Sequence, residues 1–169
     1  AHFRTAAASG PMIAQMLAAL VDRQDGVGCV VDVGAGNGRL LGQLAVIRPD
    51  LQLSGIDLRG RPTGLPDQVG WAQDRGDVRY GCWTTGEAAE ALDRPEPIMI
   101  ICCEWLDDLP CPVVAQYADG WREVIINDSG LEQAGPRLES EDLAWADRWW
   151  PGGERAEIGV TRDRAWTEL

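Results

Sequence analysis

The run Asp32-Val33-Gly34-Ala35-Gly36-Asn37-Gly38 stands out in this 169-residue chain for residue types whose spacing suits chemistry. Glycines at alternate positions let the backbone turn tightly and approach a ligand closely. A helix beginning just after them aims free N–H groups and the positive end of its dipole at the same point, which suits a carboxylate or a phosphate. The dinucleotide fingerprint requires G-x-G-x-x-G, but its last position here is Arg39 and the third glycine falls at Gly38, which argues against a nicotinamide dinucleotide. Glycines at this spacing also arise as plain turn chemistry. Asp57 adds the second half of a site. It closes the next apolar run, and in an open parallel sheet that end lies beside the glycine loop, where a carboxylate can accept from both hydroxyls of a ribose. Together the two features point to a nucleoside ligand. Asp32 reads either as a turn residue or as the counter-charge to a cationic group of that ligand. Leu58 reads either as core or as an apolar side for a base, and Asp74 either as a solvated loop residue or as an acceptor for a base amino group.

These residues need a scaffold, and the apolar spacing supplies one. Ser9 as N-cap, Pro11 in the first turn, and Met12, Ile13, Met16, Leu17 and Leu20 at helical spacing predict a helix that packs on a sheet. Cys29 to Val33 reads as a strand, and Leu40, Leu41, Leu44 and Ile47 as a helix that stops at Pro49. Leu51 to Asp57 is a second strand, Gly60 to Pro66 a loop, Val69 to Ala72 a short third strand, and Thr84 to Leu92 a helix. Pro97 to Cys103, apolar throughout, reads as a central parallel strand. The alternation predicts an α/β parallel sheet. Beyond Pro110, Val113 to Asn127 reads as a hairpin turning at Asp119-Gly120, residues 127–135 as a polar loop, and Ser140 to Trp150 as a helix with Leu143, Trp149 and Trp150 facing inward.

The length fits one domain with its own core, residues 1–169. No apolar run approaches the roughly 20 residues of a membrane helix, and Ala1-His2-Phe3-Arg4 has no apolar signal region, so the expected compartment is the cytoplasm. The five cysteines are odd in number and form no CxxC pair, which favours buried thiols over disulfides or a zinc site. With no lysine, 15 arginines and a net charge of −12, the chain repels phosphate backbones, disfavouring nucleic acid, and suits a cationic partner; the same acidity also serves solubility. Trp71, Trp83 and Trp105 read either as borders of a substrate groove or as packing residues. Trp145, Trp149 and Trp150 can cover a surface shared with another segment or a second copy.

Asp32 to Gly38 resembles the nucleotide loop of the class I S-adenosylmethionine-dependent methyltransferases, and two further segments are similar to one subfamily, the MidA-like proteins related to the mitochondrial complex I assembly arginine methyltransferase. His2-Phe3-Arg4-Thr5, followed by Ser9, resembles that family's Phe-x-Thr-Ser-Pro-Glu-x-Ser stretch. Cys103-Glu104-Trp105-Leu106-Asp107-Asp108-Leu109-Pro110 resembles its Asn-Glu-x-x-Asp-Ala-x-Pro motif, with Gly120-Trp121-Arg122-Glu123 matching the element that follows and Arg155-Ala156-Glu157-Ile158 with Trp166 the next block. The resemblance implies a Rossmann-like methyltransferase sheet, incomplete on its C-terminal side and carrying an appended hairpin, as in an N-terminal portion or a shortened relative. It implies S-adenosylmethionine bound by Asp32, Gly34, Ala35, Gly36, Gly38, Asp57, Leu58 and Asp74. It also implies methyl transfer to a protein arginine, held by Glu104 and Asp107, with Thr5 and Asp108 toward the substrate. A guanidinium is well held by carboxylates that accept its paired donors, although Asp107 and Asp108 also suit the first turn of a helix. The chain departs from the family pattern at Ala6-Ala7-Ala8 and at Cys103, so an inactive cofactor-binding or assembly module of the same fold is the second reading.

Overall fold

A computed structural model describes residues 10–75 and 86–169; Thr5, Ser9, Cys82 and Trp83 lie outside that range. The chain divides into two compact units, Ala1–Asp108 and Leu109–Leu169. The first contains α1 (Met12–Val21), β1 (Cys29–Val33), α2 (Arg39–Ile47), β2 (Gln52–Asp57), β3 (Val69–Gln73), α3 (Gly86–Leu92) and β4 (Ile98–Ile101). Its strands form one sheet in the order β3-β2-β1-β4, with every pair parallel. This is a Rossmann-like arrangement: the chain runs outward from β1 to β3 and then returns to the other side of β1. The order therefore reverses between β1 and β4, and in open α/β sheets the crevice at the carboxyl ends of such strands is where ligands bind.

The core follows from side-chain shape. β1 is rich in β-branched residues and buried along its whole length, as expected of an inner parallel strand. Leu41 and Leu44 of α2 are wholly buried against Val30, Leu53 and Val69, each burial contributing about 2 kcal/mol. α2 ends at Ile47, because Pro49 pushes Arg48 out of the helical region, to φ −131° and ψ 73°.

Two expectations for this unit are corrected. On α1 the buried residues are Ala14, Ala18 and Val21, while Met12, Met16 and Leu20 are exposed. Two stripes of the helix have the right period, and the one bearing alanines lets the backbone come close enough for Ala14 to meet Leu40 of α2. β4 is shorter than predicted. It pairs with β1 and with no other described strand, so its four residues are only half-buried, as befits an edge rather than a central strand.

The second unit holds β5 (Val113–Tyr117), β6 (Gly120–Ile126), β7 (Glu132–Arg137), α4 (Ser140–Trp149), β8 (Arg155–Glu157) and α5 (Val160–Thr167). The predicted hairpin is β5 and β6, turning into Gly120 at φ 112°. Outside the parallel sheet, it forms the middle of a four-stranded antiparallel sheet, β7-β6-β5-β8. Part of the expected polar loop is β7, an edge strand whose polar faces and Pro136 hide the usual strand signal. Leu143, Trp149 and Trp150 are exposed, not inward; the helix is anchored by Ala146 in a small core with Val114, Ala156 and Ile158.

No helix among the described residues is long and apolar enough to cross a membrane. The described cysteines are free thiols, and of these Cys29 is buried while Cys102, Cys103 and Cys111 are half-buried rather than buried as predicted.

Candidate functional site

The glycine loop joins β1 to α2 through three residues in the left-handed region: Gly34 at φ 74°, Gly36 at 63° and Gly38 at 68°. Side-chain-bearing residues enter that region at a cost of about 1–2 kcal/mol each, so the alternate glycines are the sequence's way of making this turn. Its position is fixed by β2. The Gly34 and Ala35 N–H groups donate to the Ile56 carbonyl at 2.9 and 3.2 Å, and the Gly36 N–H donates to Asp57 Oδ2 at 2.7 Å. Indoles close around it: a Cβ at Gly34 would lie 3.0 Å from Trp105 Cδ1, and one at Gly38 would lie 2.9 Å from Leu65 Cδ1 and 3.3 Å from the Trp71 ring. Trp71 and Trp105 are thus packing residues of the loop itself.

Asp57 is buried and does more than the sequence assigned to it. Besides Gly36, it accepts at Oδ1 from the Arg59 backbone N–H at 2.9 Å and from Arg59 Nε at 3.1 Å. Arg59 was not anticipated, although an aspartate that accepts from the backbone N–H two residues on, as Asp57 does, is a common local turn pattern. Arg61 braces the following loop by donating to the carbonyls of Val69, Leu65 and Pro66, and Trp71 Nε1 donates to the Arg59 carbonyl at 3.0 Å.

Asp32 is 3% exposed at the carboxyl end of β1, between Gly55 of β2 and Ile101 of β4 in register. No donor among the described residues reaches its carboxylate. Burial first, and then the Asp57 charge, push its pKa up to about 7. The same surroundings, burial and then Asp32 itself, push the Cys102 thiol up to about 11, so it is no nucleophile at neutral pH. Asp74 is 5% exposed, so the solvated alternative is excluded; its N–H donates to the Asp57 carbonyl at 2.9 Å. Leu58 is exposed, which excludes the core alternative and leaves an apolar side chain free at the sheet edge. The buried charged residues of the described chain are therefore three aspartates, one at or just past the end of each of β1, β2 and β3.

A solved structure shares this fold. The chain has a TM-score of 0.62 and 25% identity to the crystal structure, bound to S-adenosyl-homocysteine, of a protein from Burkholderia thailandensis described as a "likely methyl transferase". The match covers 94% of this chain and 43% of that one, so the chain spans less than half the length of the structure it resembles. No family model and no curated protein matches the sequence.

At the neighbouring strand end, Glu104 lies three residues beyond Ile101, the partner of Asp32 in register. It is the described non-glycine residue with positive φ, 60°, and it is half-buried. Strain of this kind costs about 1–2 kcal/mol and persists where surrounding structure imposes it; here the Trp105 indole next in sequence is packed against Gly34. Asp107 and Asp108 follow in a single turn of 3-10 helix, 106–108, and both are exposed. The structure brings Asp32, Gly34, Ala35, Gly36, Gly38, Asp57, Leu58, Asp74 and Glu104 to the carboxyl edge of one sheet.

Proposed function

We propose that this chain binds S-adenosylmethionine at the carboxyl edge of the β3-β2-β1-β4 sheet and acts as the cofactor-binding part of a methyltransferase. Asp32 carries the reading. A buried carboxylate with no donor among the described residues costs several kcal/mol when ionised, and a cationic ligand group is what relieves it. The amino group of the methyl donor fits that need, the turn Gly34 to Gly38 and the start of α2 fit its carboxylate, and Asp57 fits its ribose. Leu58, exposed at the sheet edge, and Asp74, just past β3, are assigned to the base in this reading. The likeness to a protein bound to S-adenosyl-homocysteine supports the same assignment.

When bound, the donor supplies a methyl group already activated on a sulfonium. The protein's part is to orient a nucleophile in line and exclude water. For the acceptor we favour an arginine guanidinium on a protein partner: Glu104 precedes Trp105, whose indole packs on Gly34 of the glycine loop, and Asp107 and Asp108 lie within a turn of it. The net charge of −12 favours a cationic partner in the same sense. One observation favours the non-catalytic reading: Cys103, which stands where the resembled motif has Asn, packs against the Ala14 and Leu40 cluster and brings no polar group to the edge.

Calorimetry with S-adenosylmethionine tests the site. Binding to the wild type, weakened at least about tenfold by Asp32→Asn, is the expected result; absence of heat from the wild type overturns the assignment. Transfer of a labelled methyl group to an arginine-rich peptide, lost in Glu104→Gln, separates an enzyme from an inactive module.

A further inference from the structure

The Asp57 carboxylate is already in use, and a count of its acceptor sites has a consequence for ligand entry. An ionised carboxylate offers about four lone-pair sites. Three are filled, by the Gly36 N–H at 2.7 Å, the Arg59 N–H at 2.9 Å and Arg59 Nε at 3.1 Å. A ribose presents two vicinal hydroxyls, both donors, and one site is left. One of the three present donors must therefore leave if both hydroxyls are to be accepted.

The three differ in how freely they can go. The Gly36 N–H is held by the left-handed turn, which is tied to β2 through the Ile56 carbonyl. The Arg59 N–H is held by its own backbone, whose carbonyl accepts from Trp71 Nε1 at 3.0 Å. The Arg59 side chain is different: it is 71% exposed, against 8% for Asp57, and it reaches back over the loop, so that Nη2 is 3.7 Å from where a Gly36 Cβ would be. It can swing into water without disturbing either element.

We infer that the Arg59 side chain is a displaceable latch on Asp57, which competes with the second hydroxyl of a nucleoside diol and so lowers affinity for ligands that carry both. This rests on the proposed nucleoside site but goes beyond it, since that site requires only that Asp57 accept from the ligand. An exposed ion pair is weak, so the latch is a modest one, worth up to about fivefold in affinity. It is also screened by salt, because the arginine lies in solvent.

The test compares wild type and Arg59→Ala with two neutral probes, adenosine and 2′-deoxyadenosine, by calorimetry at low and high sodium chloride. The expected result is that Arg59→Ala binds adenosine about two- to fivefold more tightly at low salt, that the gap narrows as salt rises, and that the two proteins bind 2′-deoxyadenosine equally. Equal or weaker adenosine binding by the variant overturns the latch while leaving the site intact, and so does an equal gain for both probes. Failure of both proteins to bind either probe overturns the nucleoside site and the latch with it.

Discussion

Replacing Asp32 with asparagine keeps the side-chain shape and removes its charge, and the consequences can be worked out from its surroundings. Burial, and then the Asp57 charge, raise its pKa from 3.8 to about 7. Between those values the folded chain holds a proton that the unfolded chain has released. The contribution of Asp32 to stability is therefore fully present below pH 3.8 and is lost as the pH rises through about 7. At about 1.4 kcal/mol per unit the full loss is at most about 4 kcal/mol. Asp32→Asn has no such loss, so its stability relative to wild type should grow by about 1.4 kcal/mol per unit from pH 5 to 7 and level off by pH 8. Urea unfolding of both proteins across that range reads the difference directly, and titrating groups that do not interact with Asp32 cancel in the comparison. The ligand reverses the ranking. If a cationic group pairs with Asp32, the carboxylate must ionise on binding. With a pKa of about 7, nine in ten are protonated at pH 6, so wild-type affinity for S-adenosylmethionine falls about tenfold from pH 8 to pH 6 relative to the variant. Parallel stability curves for the two proteins would refute the reasoning.

Other perturbations follow from the same geometry. Gly34→Ala should destabilise by more than Gly36→Ala in urea unfolding: both pay about 1–2 kcal/mol for positive φ, but a Cβ at Gly34 also meets Trp105 at 3.0 Å whereas the nearest atom at Gly36 is 3.7 Å away. Trp105→Ala in the same chain should recover the steric part of the Gly34→Ala loss, as a double-mutant cycle would show. Glu104→Gly should be more stable than Glu104→Ala by about 1 kcal/mol, against the usual order, because φ is 60° there, and both should lose the proposed methyl transfer. Leu44→Ala, at a wholly buried position, should cost about 2–5 kcal/mol without changing the pH dependence assigned to Asp32.

The parallel unit was legible in the sequence because its signals are local. β1, the glycine loop, α2 and β2 announce themselves through β-branched runs, alternate glycines and a proline stop, and the structure has them within a residue or two of their expected bounds. What was illegible depended on contacts between distant residues. Alanines at positions 14 and 18 bury a stripe that hydropathy ranks below Met12, Met16 and Leu20, because close approach of α1 and α2 outweighs side-chain size. β7 lacks alternation because an edge strand need bury little, and α5, with buried Ala165 among arginines and acids, has almost no apolar face to read. At the site, Asp57 was recognisable as the residue closing β2. Its hold on Gly36 and its engagement by Arg59 were not, since both depend on where the loop lies after folding.

The three buried aspartates make the strongest physical case for function. Three aspartates, Asp32, Asp57 and Asp74, are buried at adjacent strand ends, and burial followed by the Asp57 charge disfavours the charged form of Asp32. Asp57 is compensated by two N–H groups and a guanidinium, and Asp74 is tied by its N–H to the Asp57 carbonyl. Asp32 has neither among the described residues, and burial followed by the Asp57 charge holds its pKa near 7. Such an uncompensated edge is costly to keep and is relieved by a cation with hydroxyl donors nearby. That combination is what a sulfonium-bearing amino acid joined to a ribose presents, and a phosphate-bearing dinucleotide would instead add negative charge to the edge.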